Sequence, residues 1–396
     1  MKVALVHDWL TGMRGGEKVL EAFCEIFPDA DLFTLFHVPG SVSGIIEDRR
    51  IKTSFIQKLP LVKKHYRWYL PLFPLAAESF DLSGYDLIIS SSHCVAKGII
   101  TPPGAFHVSY IFTPMRYIWD KFNDYFGREP WLKKRALGVV CHYLRAWDSS
   151  SSKRVDNFIA ISDYVAERVK KYYGRDSIIV YPPVDCARFS LSGKGPDDFY
   201  LCLSAFAPYK RIDLAVEAFS RFGRRLKVVG AGQDDKRIRR LAGPDIEFLG
   251  PVSDPEVSEL YSRCRALVFP GEEDFGIVPL EAMASGRPVI AYGGGGALET
   301  VVPLRRRGAG SIGSARPTGV FFYEQSVPSL IEAIKTFEAH EKEFSPAALR
   351  EHALAFDRPV FKERFSDIVN SLYNDYKTDN KKCSKNTVKF LKTSSL

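Results

Sequence analysis

The sequence lacks three patterns that would each indicate another class of protein. Its 396 residues hold no apolar run near the roughly 18 residues that a membrane-spanning helix needs. No two of its seven cysteines form a C-x-x-C pair, and most lie in apolar runs, as expected of small core residues in a reducing compartment. No G-x-G-x-x-G follows a first strand, which argues against an NAD-dependent enzyme. The start, MKVALVHDW, predicts a strand and not a signal peptide, so we expect a cytoplasmic protein.

The composition is that of a globular protein with more than one domain. Apolar residues make up 45% and charged residues 26%, which is enough for large cores. The net charge of +8 favours an anionic partner, such as nucleotide phosphates, a lipid phosphate or the inner membrane surface. A merely soluble basic surface would give the same balance.

Residues 269–292 carry the densest chemistry in the chain. They predict a strand end, a tight loop, a short helix opened by Pro279, and a second strand. Glu273 lies in the loop and Glu281 in the first turn of the predicted helix. A buried acid on an apolar helix is costly unless it meets hydrogen-bond donors, and sugar and ribose hydroxyls are such donors. The free N–H groups of Gly276, Ile277 and Val278 form an anion site at the helix start.

The full phrase around these two acids resembles the signature of family 4 glycosyltransferases. It reads E-x(7)-E, with FG after the first acid and EAMA-x-G-x-PV after the second. Those enzymes are retaining and have the GT-B fold. The resemblance implies that Glu273 positions the transferred sugar, that Glu281 grips the ribose, and that Phe275 lies against the donor. The alternative is a chance pair of acids on a solvated helix face.

Two short segments in the first half are predicted to face the same cleft. The strand Lys2–His7 and a loop precede Gly15 and Gly16, which open a helix, and this geometry suits a phosphate, although a plain tight turn fits as well. His93 directly follows the strand 85–92, where it is better placed to face a cleft than to fill a core. In the resembling family these segments line the donor, and a structural histidine is the alternative for His93.

Three other features of the first half have a weaker basis. Asp29-Ala30-Asp31 spells a metal motif of a different fold, but it precedes its strand, so we predict a surface loop. Residues 51–80 are basic and aromatic, which predicts either a packed helical hairpin or a face for a membrane or lipid-linked acceptor. The residues that resemble polysaccharide mannosyltransferases of the family are Arg116, Tyr117, Trp119 and Asp120.

Cations follow the first strand of the second half. Lys210 and Arg211 come after the strand FYLCLSAF and suit a diphosphate, with a solvated helix start as the alternative. The family phrase has an arginine where this chain has Ala205, so one phosphate contact is lost or Arg211 supplies it. Loops predicted to line the donor contain Gly230 and Val252. The run Gly293–Gly296 predicts a phosphate cradle or a flexible turn.

Together these patterns predict an α/β protein with GT-B architecture: two Rossmann-like, doubly wound domains that face a central cleft. We place the first domain at 1–186 and the second at 193–358, with a hinge at Pro182-Pro183. A helix at 359–377 returns to the first domain, and 378–396 reads as a basic disordered tail.

The predicted function is retaining transfer of a hexosyl unit to a glycan or lipid-linked acceptor in cell-surface polysaccharide or lipopolysaccharide biosynthesis. The resemblance favours GDP-mannose as donor, with a UDP-sugar as the rival. We expect no cofactor, no metal and no nucleic acid partner, and a position in the cytoplasm or peripherally on the inner membrane. A nucleotide-sugar epimerase and a non-catalytic nucleotide-sugar-binding module remain alternatives.

Overall fold

The computed structural model describes residues 1–127, 129–304 and 316–393, with side chains as far as Asp379. The described chain forms two sheets in which every strand pair is parallel. The first has the order β3-β2-β1-β4-β5-β6-β7, and the second has the order β10-β9-β8-β11-β12-β13. The strands are β1 (Val3–His7), β2 (Asp31–Thr34), β3 (Ile51–Thr53), β4 (Leu87–Ser92), β5 (Phe106–Ile111), β6 (Asn157–Ala160), β7 (Ser177–Ile179), β8 (Tyr200–Leu203), β9 (Leu226–Val229), β10 (Ile246–Gly250), β11 (Leu267–Phe269), β12 (Val289–Tyr292) and β13 (Gly319–Phe322).

Helices connect the parallel strands and cover the sheets. In the first half they are α1 (Gly15–Ile26), α2 (Gly44–Glu47), α3 (Val62–His65), α4 (Phe73–Glu78), α5 (Arg116–Trp119), α6 (Phe122–Phe126), α7 (Trp131–Ser151) and α8 (Asp163–Tyr173). In the second half they are α9 (Ile212–Phe222), α10 (Asp235–Arg239), α11 (Asp254–Arg263), α12 (Ile277–Ala284), α13 (Ala297–Thr300), α14 (Val327–His340), α15 (Pro346–Leu354) and α16 (Arg358–Thr393). No helix of the described residues is long and apolar enough to span a bilayer.

The order of the strands fixes where a ligand can bind. Strands β1, β4 and β5 are buried along their whole length, as expected for the centre of a parallel sheet covered on both faces. In the first sheet the order reverses between β1 and β4, and in the second it reverses between β8 and β11. Crevices for ligands lie at the carboxyl ends of the strands at such reversals.

Two crossings link the halves, and they pair with each other. The N–H of Val184, just after the predicted proline hinge, donates to the carbonyl of Phe356 at 2.9 Å. In return, the N–H of Arg358 donates to the carbonyl of Val184 at 3.0 Å. The last strand of the first sheet ends at Ile179, and the first strand of the second sheet begins at Tyr200. The domain boundaries and the hinge that we predicted between them stay predictions.

The last helix returns to the first half of the chain. Phe365 of α16 packs on Phe23 of α1 with ring centroids 4.4 Å apart, and Arg358 pairs with Glu21 and Glu25, each at 2.8 Å. The predicted disordered tail is wrong for the backbone as far as Thr393, because α16 continues to that residue. The sequence contains no glycine or proline after Pro359 that would end the helix. Residues 394–396 of that prediction lie outside the described residues.

Candidate active site

Helix α12 presents its first turn at the carboxyl end of β11. Gly276 has φ +95°, a conformation in which a side chain is strained, and it caps a helix that begins at Ile277. Our prediction that Pro279 opens the helix is therefore wrong by two residues, and Glu281 lies in the second turn instead of the first. The N–H groups of Ile277 and Val278 stand at this helix start, where they can bind an anion.

The two acids of the E-x(7)-E phrase already hold charged partners. Glu273 pairs with the ammonium of Lys210, which lies on a 3₁₀ turn after β8, and both side chains are mostly buried. Glu281 accepts a hydrogen bond from the Tyr261 hydroxyl at 3.0 Å and pairs with Lys18 of the first half at 3.3 Å. The structure therefore pairs two residues predicted from sequence, Glu273 and Lys210, and gives the third, Glu281, the partners Lys18 and Tyr261, which sequence did not indicate.

Glycines allow close packing around the loop of Glu272, Glu273 and Asp274, which we call the acid loop. A β-carbon on Gly271 would lie 2.8 Å from the Lys210 α-carbon. One on Gly295 would collide with the carbonyl of Glu273, and one on Gly296 with the α-carbon of Phe275. Two glycines of the four-glycine run therefore pack tightly behind this loop, and the two alternatives for the run, a phosphate cradle or a flexible turn, stay predictions.

The remaining residues predicted to bind the sugar donor differ in how many contacts they already make with the protein. Arg211 has φ +51°, which is unusual for a residue with a side chain, and its guanidinium donates to the Gln325 side-chain oxygen at 3.2 Å. Ala205 is exposed just after β8. Because the Arg211 guanidinium contacts Gln325, which lies two residues before α14, the idea that Arg211 replaces the family's arginine stays a prediction. Gly230 has φ +124° and abuts Ser204, and Val252 packs partly buried on the core. The binding roles of these residues stay predictions.

A buried carboxylate that we did not single out organises the facing side of the cleft. Asp8 directly follows β1, has no exposed surface, and accepts four backbone N–H bonds. The donors are the consecutive N–H groups of residues 93–96, at 2.7 to 2.9 Å. Burial alone would raise the pKa of the Asp8 carboxyl, but His93 and these bonds outweigh it and lower the pKa to about 2.

His93 is held between this carboxylate and an aromatic ring. Its Nδ1 lies 3.1 Å from Asp8, and its ring meets Trp9 edge-to-face with centroids 4.5 Å apart. Burial lowers the pKa of His93, but the charges of Asp8 and Glu17 overcome this and leave the pKa above its ordinary value. The pairing with Asp8 therefore favours the protonated form of His93, which can donate a hydrogen bond to a sugar or phosphate oxygen.

We expect Asp8→Asn to weaken the hydrogen bonds that hold the amides of residues 93–96 at the end of β1. The amide can still accept at one end, but its NH₂ group would face two N–H donors, which costs about 2–4 kcal/mol. Because folding lowers the pKa of Asp8, the carboxylate's contribution is complete above its ordinary pKa of 3.8 and is lost as the pH falls towards 2, so it is fully present at neutral pH. Hydrogen–deuterium exchange should show faster exchange at residues 93–96.

The matched control is Asp81→Asn, since Asp81 accepts one backbone N–H, from Ser83, at the exposed surface. That variant should exchange like the wild type at residues 93–96. Unchanged protection of those amides in Asp8→Asn would contradict the role assigned to this carboxylate.

The glycine loop of the first half reaches the donor helix directly. A β-carbon on Gly15 would lie 3.3 Å from the Ile277 side chain, and one on Gly16 would lie 3.6 Å from the His7 ring. The predicted phosphate-binding segments of the two halves thus meet at the start of α12. Sequence placed them in one cleft, and the structure brings them into contact.

The acid loop is also shared between the halves. Glu272 accepts from the Tyr164 hydroxyl at 2.9 Å and from Lys121 at 3.3 Å. Asp274 pairs with the buried Arg116 of α5, and its carbonyl accepts from Ser162 at 2.6 Å. Glu272 and Asp274 therefore bind the first half, while Glu273 between them faces Lys210.

The segment that resembles polysaccharide mannosyltransferases supports this loop. Arg116 reaches Asp274, and the Trp119 indole donates to Asp148 at 2.7 Å. Asp120 forms a two-armed pair with Arg168, with bonds of 2.6 and 3.0 Å. The segment thus joins α5 to α7 and α8 and holds Arg116 at the cleft.

The aspartates that we set aside lie far from this edge. Asp31 is not in a surface loop as predicted: it is the first residue of β2, buried, and pairs with Lys52 at 3.0 Å. It sits at the amino end of its strand, opposite the cleft. Within residues 1–127, 129–304 and 316–393 there is no group of three or more histidine, cysteine or acidic side chains that could hold a metal ion.

The second half of the chain has recognisable relatives. Residues 186–355 match the family model described as glycosyl transferases group 1. Two curated relatives match part of the chain. The O-antigen chain mannosyltransferase RfbU of Salmonella typhimurium is 31% identical over 161 residues, which cover 37% of this chain and 45% of that protein. The GDP-mannose-dependent monoacylated alpha-(1-6)-phosphatidylinositol monomannoside mannosyltransferase of Corynebacterium glutamicum is 30% identical over 182 residues, which cover 38% and 47%.

The fold extends beyond the group 1 region. Sucrose-phosphate synthase from Thermosynechococcus elongatus superposes with a TM-score of 0.69 at 16% identity, and the match covers 95% of this chain and 100% of that one. This confirms the predicted GT-B class of two Rossmann-like domains. The sequence alignments are shorter: the chain spans less than half the length of the curated relatives it matches.

Proposed function

We propose that the protein is a retaining glycosyltransferase that moves a hexosyl unit from a nucleotide diphosphate sugar to a glycan or lipid-linked hydroxyl. The observation that carries the proposal is the arrangement of Lys210, Glu273 and Glu281 around the start of α12. Its match to the group 1 family and the two mannosyltransferases support it. GDP-mannose is the preferred donor, and cell-surface polysaccharide biosynthesis in the cytoplasm the preferred setting.

The chemistry follows from the charges already present. A bound diphosphate pairs with Lys210 and accepts hydrogen bonds from the N–H groups at the start of α12. These groups stabilise the charge on the leaving group. Glu273 then exchanges its pairing with Lys210 for the hydroxyls of the sugar, so neither charge is left without a partner. Glu281 holds the ribose. The acceptor attacks on the face from which the diphosphate departs, and a phosphate oxygen takes its proton.

Incubation with labelled GDP-mannose, and separately with a labelled UDP-sugar, tests the activity. Transfer or hydrolysis supports a transferase, an isomerised sugar supports an epimerase, and binding without turnover supports a binding module. NMR of the product decides the stereochemistry, since an α-linked product from an α-linked donor is expected. A β-linked product would contradict retention.

Activity should survive excess EDTA. Lys210 and the α12 N-terminus supply the positive charge that a divalent ion would otherwise bring to the diphosphate. Initial rates measured with EDTA, and with EDTA followed by magnesium or manganese, should agree within about twofold. A complete loss that either metal restores would show that metal ions are part of the reaction.

A further inference from the structure

Helix α7 has apolar side chains on two opposite faces, and only one face meets the core. Cys141 and Leu144 are buried on the inner side. On the outer side Leu132 is 67% exposed, Val139 70% and Tyr143 48%. Spacings of seven and four residues place these three along one stripe of the helix, and Ala136 fills the gap between them. The outer face is therefore a continuous apolar stripe that faces solvent.

Cations flank this stripe without acids among them. Lys133 and Arg135 are exposed beside it, and Trp131 is 68% exposed at the start of the helix. Residues 131–147 contain no aspartate or glutamate. One acid just before the helix, Glu129, pairs with Lys133 at 2.9 Å. The outer face thus combines apolar and aromatic groups with positive charge.

A second segment on the same core has the same character. Tyr66 and Phe73 share a hydrophobic cluster with the inner face of α7. In residues 61–75 around them, Leu61, Trp68 and Leu75 are between 58% and 67% exposed. This segment also contains Lys63, Lys64 and Arg67, all exposed, and no acid.

We propose that the outer face of α7, together with the segment 61–75, docks on the surface of an anionic lipid bilayer. A helix with an apolar stripe between cations lies in the interface plane, and exposed tryptophans are favoured there. Each lysine or arginine near an anionic membrane adds to the attraction. A second copy of the chain fits poorly, because residues 131–147 hold no acid with which Lys133 and Arg135 of the other copy could pair.

The docking face lies next to the site. Arg145 of α7 donates to the carbonyl of Ile118 in α5 at 2.7 Å, and α5 also holds Arg116 against the acid loop. A bilayer on the outer face of α7 would lie on the first-domain side of the cleft. That its lipids carry the acceptor rests on the proposed function, whereas the docking itself does not.

Vesicle binding by the full-length chain tests the docking. We expect it to co-sediment with vesicles of equal parts phosphatidylglycerol and phosphatidylcholine, and only weakly with phosphatidylcholine alone. The double variant Leu132→Glu/Val139→Glu should lower partitioning at least about tenfold, because it places two charges in the bilayer interface. The matched control is Leu354→Glu on α15, where Leu354 is 42% exposed, and it should bind like the wild type.

Each outcome decides something. Equal binding of the double variant with an unchanged melting temperature would overturn the proposal and assign the binding to another segment. A wild-type dimer that the double variant abolishes, without any vesicle binding, would assign the stripe to self-association. Vesicle binding that depends on the stripe, in a protein that never turns over a nucleotide sugar, would leave the docking standing and refute the proposed function.

Discussion

Lys210→Ala should lower kcat/KM for the nucleotide sugar about 10²–10³-fold, equivalent to roughly 3–4 kcal/mol of transition-state stabilisation, which is the usual loss when one preorganised donor is removed. Lys210 is the cation held at Glu273, beside the start of α12, where charge develops on the leaving diphosphate. The loss should fall on kcat as well as on KM, because the charge on the diphosphate is greatest as the bond to the sugar breaks. Steady-state kinetics with the purified protein measures both.

Two further variants make the result specific. Lys335→Ala removes an exposed lysine of α14 that pairs with Glu332 at 2.6 Å, and it should leave the rate unchanged. Lys210→Ala also leaves Glu273 without its partner, so the double variant Lys210→Ala/Glu273→Gln separates a structural effect from a catalytic one. If the double variant recovers the melting temperature but reacts more slowly than Glu273→Gln alone, Lys210 acts on the substrate. Wild-type activity in Lys210→Ala would remove it from the site.

The two glutamates should fail in different ways when each is changed to glutamine. Glu281→Gln should weaken binding of the free nucleoside diphosphate about 10–100-fold and raise the donor KM, since a hydrogen bond to a charged group is worth about 1.5–3 kcal/mol. A ribose contact is made in the ground state and the transition state alike, so kcat should hardly change. Glu273→Gln should mainly lower kcat, because a contact to the reacting sugar strengthens as charge develops.

Calorimetry with the free nucleoside diphosphate decides between these roles, because this ligand carries ribose and phosphates but no sugar. Glu273→Gln should bind it undiminished, since loss of the carboxylate releases Lys210 for the phosphates. Glu332→Gln, on the exposed face of α14, is the control for the substitution itself. Loss of binding in Glu273→Gln with full binding in Glu281→Gln would reverse the assignment.

Sequence predicts those parts of the site that depend on local order along the chain. The strand–loop–helix–strand unit at 269–292 follows from apolar runs and turn residues, and His93 follows from its place at the end of a buried strand. The start of α12 was misplaced because Pro279 signals a first turn, while the left-handed conformation of Gly276 that begins the helix leaves no pattern. Local signals therefore locate an element better than they fix its first residue.

Contacts between distant residues left no such signal. Arg116 and Asp274 meet across the cleft, and Asp8 binds amides that lie 85 to 88 residues further along the chain. Lys210 is mostly buried against Glu273, which lies 63 residues further along the chain. Each of these pairings depends on how the two sheets are placed, which no spacing within one segment reports.

The bonds of Asp8 also bear on how the protein is made. A ribosome adds about 5–20 residues per second, so the donors at 93–96 emerge roughly 4–17 s after Asp8. Until then β1 lacks both its neighbour β4 and the amides that satisfy its terminal carboxylate. A buried, unsatisfied carboxylate is costly, so the nascent first domain should keep this end of β1 hydrated during that interval. Strand β1 would thus be completed only about halfway through the synthesis of its domain, although it is the first strand to leave the ribosome.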